Sequence, residues 1–285
     1  MIVTLCADKG SPGVSDLATA LALVWPGERL LLEADTAGGD LPFRLQHADG
    51  DRLLDTSPSV LSLAADARGA LPADRLPRYA QPTSLGVAVV PGALSAESFT
   101  PMARLWPHVA DAAAAWSGTV LADLGRLQPG HAALPVARAS TAVLLLARPD
   151  LAGLYHLRDR VVELAATVGE PARERTPVAV VVRASSGLAG KAAVNQVRQM
   201  LEAAGSPVPV AGLFADDPHG LALIRAGQPT RQLLRSDLIR SVRSLSETVV
   251  SWWPELAAGP AGTTPEPPAT DDRAPDAPRR GRVSA

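Results

Sequence analysis

The residues best suited to chemistry gather at one strand-to-helix junction and at two strand ends. After the apolar run MIVTLCA comes DKGSPGVS and then DLATALALV. A glycine-rich turn in that position aims successive backbone N–H groups at one point. The positive end of the following helix dipole adds to their pull, so the junction suits an anion such as a phosphate. Lys9 offers a positive charge there and Ser15 a hydroxyl, in a chain whose only lysines are Lys9 and Lys191. Ser15 also has a plain alternative as the N-cap of the helix. Two carboxylates close strand patterns: Asp35 ends RLLLEAD and Asp123 ends TVLAD. Acids at strand ends are common turn residues. Two of them beside a phosphate-type turn favour a site, because ligands bind at the C-terminal rim of an open α/β sheet.

The remaining chemistry-bearing residues form no constellation. His47, His108, His131, His156 and His219 have no metal-ligand spacing, and no G-x-S-x-G elbow is present. The single cysteine, Cys6, sits inside an apolar run and excludes a disulfide framework. A net charge of −2 and a pI near 6.2 give no global attraction to nucleic acid or anionic lipid. The start carries neither a basic segment nor a long apolar one, and a cytoplasmic protein is expected.

The elements that must position these residues read as alternating strands and helices. Strand patterns are expected at Ile2–Ala7, Arg29–Asp35, Gly86–Val90, Thr119–Leu124, Thr141–Ala147, Val178–Arg183 and Val208–Phe214. Most are continuous apolar runs, as in parallel strands covered on both faces. Helical patterns are expected at Ser15–Val24, Ala96–Trp116, Leu151–Val168, Gly190–Ala204 and Pro218–Ala226. The stretch Asp49–Pro82 is less regular, with prolines 58, 72 and 77 breaking one or two short helices. The fold class is therefore α/β, a mostly parallel twisted sheet with helices on both faces.

The ordinary phosphate-loop pattern, G-x-x-x-x-G-K-[ST], is missed twice, since Asp8 stands at its first glycine and Val14 at its lysine. The segment instead resembles the loop of the MinD/ParA family of ATPases, K-G-G-x-G-K-[ST], which opens with an extra lysine. Lys9, Gly10, Gly13 and Ser15 match it, Pro12 fills its free position, Ser11 replaces a glycine, and Val14 replaces its second lysine. RLLLEADTAGGDL resembles the family's second strand and switch I, with Asp35 where a water-positioning aspartate sits and Glu33 two residues before. TVLADLG resembles the strand ending in the Walker B aspartate, here Asp123, followed by Gly125 of switch II. TAVLLLARPDLAGLYHLR and VAGLFADDPHGLALIRAGQP resemble the next strand with its helix and the last strand with its base-holding loop. These segments keep the family's order over roughly residues 1–230. Arg183 stands where the family commonly carries an asparagine that reads adenine.

The resemblance implies a P-loop NTPase fold that takes ATP and Mg2+. Lys9, Gly10, Ser11, Pro12, Gly13, Val14 and Ser15 would form the phosphate loop. Ser15 and Asp123 would hold the metal, and Asp35 would orient the attacking water. It further implies a nucleotide-dependent homodimer and a protein partner in a larger assembly. The role would be to position or assemble a bacterial machine such as a partition, pilus or secretion apparatus. Loss of the lysine at Val14 implies weak or absent hydrolysis. The departures at Ser11, Val14 and Arg183 leave a second reading, a pseudo-ATPase serving as a nucleotide-independent interaction module. A Rossmann oxidoreductase is disfavoured, because no G-x-G-x-x-G follows the first strand.

A last helix is expected from Asp237 to about Trp253, with Leu238, Val242, Leu245, Val249 and Trp252 on one stripe. Packing against the sheet is the favoured use of that stripe. A peripheral membrane contact through 237–253 is the alternative, and its mix of Asp237 and Glu247 with Arg240 and Arg243 fits an interfacial helix less well. The domain reading is 1–256 for the NTPase-like unit and 257–285 for a disordered proline-rich tail. From Gly259 onward the tail holds six prolines and one large apolar residue, Val283. Its arginines 279, 280 and 282 lie close to acidic residues, so no strong signal for nucleic acid arises there.

Overall fold

The computed structural model describes residues 1–9, 12–69, 71–169, 177–227 and 229–256. The strands are β1 (Ile2–Ala7), β2 (Arg29–Glu33), β3 (Gln81–Pro82), β4 (Ala88–Val90), β5 (Thr119–Arg126), β6 (Ala142–Ala147), β7 (Val178–Ala184) and β8 (Val210–Ala215). They form one sheet in the order β3-β4-β2-β5-β1-β6-β7-β8, parallel except for the β3–β4 pair. β3 fell in the stretch expected to be irregular. It has two residues, one of them Pro82, which the sheet edge tolerates because it needs no ladder N–H there.

The continuous apolar strands are explained by two separate cores, one on each face. Ile2, Cys6, Leu30, Leu32, Val143 and Leu145 point into one core. Val3, Leu5, Leu31, Leu144, Leu146 and Val181 point into the other. Successive side chains alternate between faces, so a strand apolar at every position has to be covered twice.

The helices are α1 (Val14–Val24), α2 (Leu41–Arg44), α3 (Val60–Asp66), α4 (Ala96–Phe99), α5 (Trp106–Ala115), α6 (Leu134–Arg138), α7 (Leu151–Val168), α8 (Gly187–Ala203), α9 (Pro218–Arg225), α10 (Arg231–Leu234) and α11 (Asp237–Trp252). Side-chain oxygens cap several of them. Asp150 accepts from Gly153, Asp217 from Gly220 and Ser236 from Ile239. The single helix expected over 96–116 is broken into α4, a 3-10 turn at Thr100–Met102, and α5. Pro101 and Pro107 are the cause. Each lacks the N–H that a continuous helix would use and instead sits in the first turn of a new segment.

α11 settles the use of the C-terminal stripe. Leu238, Ile239, Val242, Leu245 and Val249 are at most 1% exposed, and the helix packs against β8 and α1. The apolar face that a membrane contact through 237–253 required is therefore interior. Among the described residues no helix is long and apolar enough to cross a membrane. The tail from 257 lies outside the described residues.

Candidate functional site

β1 lies between β5 and β6, with α1 leaving toward β2 on one side and the later strands on the other. The C-terminal ends of these strands enclose a cavity of about 520 Å³. Pro12, Gly13 and Ser15 line it from the loop and α1, Asp35 from the segment after β2, and Gly125 and Arg126 from β5. Gly13 opens α1 with φ +94, a left-handed conformation that glycine adopts without strain, and its carbonyl accepts the first helical bond from Leu17. Gly10 and Ser11 lie outside the described residues. Val14 also borders the cavity, but its side chain is 6% exposed and joins the apolar core under α1. No charge arises at that position.

Asp123 is fully buried on β5, two residues before Gly125, which lines the cavity. Register places it beside Leu5 of β1 and opposite Glu33 of β2. Its Oδ1 accepts from the Gly125 N–H at 2.9 Å, while Oδ2 has no hydrogen-bond partner among the described residues. Burial, helped by the charges of Glu33 and Asp35 and opposed by the Ser15 hydroxyl and the Gly125 amide, pushes this carboxyl up to about 7. A buried carboxylate oxygen without a partner, close to a hydroxyl, fits a hydrated divalent cation. Among the described residues no cluster of three or more acidic, His or Cys side chains could hold a metal alone. Mg2+ in a phosphate site does not require one, because water and phosphate oxygens complete its shell.

Glu33 does structural work beside it. Its Oε1 accepts from the N–H groups of Asp40 at 2.8 Å and Leu41 at 2.9 Å, and Oε2 from that of Gly92 at 2.7 Å. A Cβ at Gly39 or Gly92 would lie 2.4 and 3.0 Å from these oxygens, so both glycines let the backbone close on the carboxylate. Burial raises the Glu33 pKa against the pull of the three amides. The carboxylate thus fixes the segment from 34 to 41, which carries Asp35. Asp35 Oδ1 accepts from the Ala37 N–H at 2.9 Å. Its other oxygen packs on Gly125, at φ +57, where a Cβ would come within 1.9 Å. Burial raises Asp35 too, opposed by the Ala37 amide and by the charge of Arg126.

Lys9 is set apart from this group. Its Nζ lies 3.2 Å from His156 Nε2, and it lines a neighbouring cavity of about 240 Å³ between the loop and α7. The structure thus brings Pro12, Gly13, Val14, Ser15 and Asp35 around one cavity, with Asp123 buried beside Ser15 and Gly125, and turns Lys9 outward.

Several arginines near the loop carried no motif. Buried Arg160 reaches Asp8 Oδ1 at 3.3 Å and donates to the Leu127 carbonyl at 2.7 Å, tying the loop's start to the chain after β5. Arg183, at the end of β7, donates from Nη1 to the Pro12 carbonyl at 2.6 Å and from Nη2 to Asp216 Oδ1 at 2.7 Å. Asp16, in the first turn of α1, lies 3.5 to 3.9 Å from Arg44, Arg183 and Arg225. Among these, only Arg183 was singled out by the sequence, through its departure from the MinD/ParA resemblance.

The chain matches no protein family in sequence pattern and no curated protein in sequence. Its structure is similar to solved structures over most of its length. A ParA family ATPase from Chlorobium tepidum TLS superposes with a TM-score of 0.64 at 16% identity, covering 88% of this chain and 97% of that one. The cell division ATPase MinD of Pyrococcus furiosus gives 0.63 at 17% identity, covering 88% and 98%. The septum site-determining protein MinD of Pyrococcus horikoshii OT3, complexed with Mg-ADP, gives 0.60 at 19% identity, covering 90% and 98%. With its eight-stranded, mostly parallel sheet and helices on both faces, the chain has the P-loop NTPase fold of the MinD and ParA ATPases.

Proposed function

We propose that this chain is a nucleotide-dependent switch of the MinD/ParA kind, with weak or absent ATP hydrolysis, that positions or regulates the assembly of a bacterial machine in the cytoplasm. One observation carries the reading: Asp123 has a buried Oδ2 with no partner among the described residues, beside Gly125 and Ser15, both of which line the cavity at the start of α1. Gly13 and the N–H groups opening α1 would hold phosphate oxygens, and Ser15 and Asp123 would hold Mg2+. When bound, the ion supplies positive charge to the phosphate chain. Asp35, held by the Ala37 amide, would orient water. Lys9, exposed at the rim, would reach the phosphates of a second copy in a face-to-face homodimer. The protein partner would belong to a partition, pilus or secretion apparatus. The similar MinD of Pyrococcus horikoshii, solved with Mg-ADP, supports the choice of ligand.

Val14 favours slow chemistry, because a valine cannot stabilise charge developing on the β- and γ-phosphates. Calorimetric titration with ATP and ADP, with and without Mg2+, is the test, together with a turnover assay. Magnesium-dependent binding with turnover far below roughly 10 per second is expected. Turnover at that rate would contradict the assignment of Val14. Absence of nucleotide binding would favour the second reading, a pseudo-ATPase acting as an interaction module, which the replacements at Ser11 and Val14 support.

A further inference from the structure

The loop has lost its lysine, yet a buried cation stands against it. The Arg183 guanidinium rests directly on Gly13, where a Cβ would lie 2.0 Å from Nη1. Glycine at position 13 therefore does more than permit a left-handed turn, since any side chain would displace the arginine. Asp216 holds the other edge through Nη2 at 2.7 Å and Nε at 3.3 Å. Phe214 lies beneath, its ring centre 5.4 Å from the guanidinium carbon. Together with the Pro12 carbonyl these partners leave one N–H on each terminal nitrogen. Asp16 Oδ2, at 3.8 Å, is beyond hydrogen-bonding reach.

The other positive groups at the cavity differ in kind. The side chains of Arg44 and Arg225 are 37% and 54% exposed, and Arg126 is exposed as well. Water and salt weaken such charges. The Arg183 side chain is 9% exposed, where the local dielectric is low and a hydrogen bond to an anion is strong. Lys9 belongs to the neighbouring cavity. We propose that Arg183 supplies the phosphate-binding charge that Val14 has lost, so that the cation of this loop has moved from its own helix to the end of β7. The proposal rests on the nucleotide reading of the cavity and names the residue that makes it work.

The test is calorimetric titration of the full chain with inorganic tripolyphosphate and with ATP, both with Mg2+. Tripolyphosphate has no base, so it separates phosphate binding from base reading. Arg183→Gln should weaken both ligands by roughly tenfold or more, as expected for a lost charged hydrogen bond. Adding Val14→Lys to that variant should restore much of the loss. Weakened ATP with unchanged tripolyphosphate would make Arg183 a base reader and overturn the proposal. So would a failed rescue in a variant with a wild-type thermal transition, because the loss would then lie in loop geometry. Asp216→Asn guards against a misfolded Arg183→Gln. Asp216 does not line the cavity, and its removal frees the guanidinium, so tripolyphosphate should bind a few-fold tighter; no gain would count against the proposal. Wild type binding neither ligand overturns both this proposal and the nucleotide reading. Wild type binding both, with Arg183→Gln unchanged, overturns this one alone.

Discussion

Asp123→Asn should stabilise the ligand-free protein while removing its response to magnesium. In the fold the carboxyl is raised from an ordinary 3.8 to about 7, with burial the main cause. The folded state therefore holds its proton to higher pH than the unfolded chain does. Between about pH 4 and pH 7 the folded form binds more protons, so stability falls as pH rises through that window and stays low above it. At roughly 1.4 kcal/mol per pH unit the ceiling of the effect is about 4 kcal/mol. Asparagine copies the neutral form at every pH and keeps an oxygen for the Gly125 N–H. Urea unfolding without nucleotide or metal, at pH 5, 6, 7 and 8, should give a wild type that weakens toward pH 8. The variant should show a flatter profile, more stable by up to about 4 kcal/mol at pH 8. Glu33 and Asp35, whose charges raise Asp123, should relax in the same direction when it is neutralised. A variant less stable than wild type at pH 8, or one with the same pH profile, would refute the reasoning. Titration with Mg-ATP supplies the converse, since the variant should lose the tightening that magnesium gives wild type.

Glu33→Gln faces a donor where an acceptor is needed at one of three amides, two of them buried, and should cost about 1–3 kcal/mol in urea unfolding; an unchanged midpoint would show that the segment 34–41 is held by other contacts. Gly125→Ala puts a Cβ at φ +57 into the Asp35 carboxylate and should lower stability by about 1–3 kcal/mol while abolishing any residual hydrolysis. Deleting residues 257–285 should leave the melting temperature in place. Deletion from Asp237 onward removes five buried side chains worth about 1.5–3 kcal/mol each, from a fold whose whole stability is about 5–15 kcal/mol, and a soluble, cooperatively folding product would contradict the packing of α11. Lys9→Ala should reduce nucleotide-dependent dimerisation in light scattering and leave tripolyphosphate binding by the monomer nearly unchanged. A tenfold loss of monomer affinity would return Lys9 to the cavity.

Much of this protein was readable from local pattern. The strand runs from Ile2, Arg29, Thr119, Ala142 and Val178 are apolar at nearly every position, which a parallel sheet covered on both faces requires, and their order resembled that of the MinD/ParA ATPases. Glycine at 13 and serine at 15 marked the junction, and Asp35 and Asp123 marked the acids that gather near it. Pro101 and Pro107 are equally visible in the sequence as signals of the break before α5. What the sequence could not assign is the division of labour among charges. Arg183 reaches the Pro12 carbonyl across 171 residues of chain, and Lys9 meets His156 across 147. Glu33, read as the companion of Asp35, turned out to be the staple that orders it. Residue type and spacing say which groups can carry charge. Which of them is buried against the loop, which is neutralised by a neighbour and which faces solvent depends on contacts between distant segments, and those exist only once the sheet has closed.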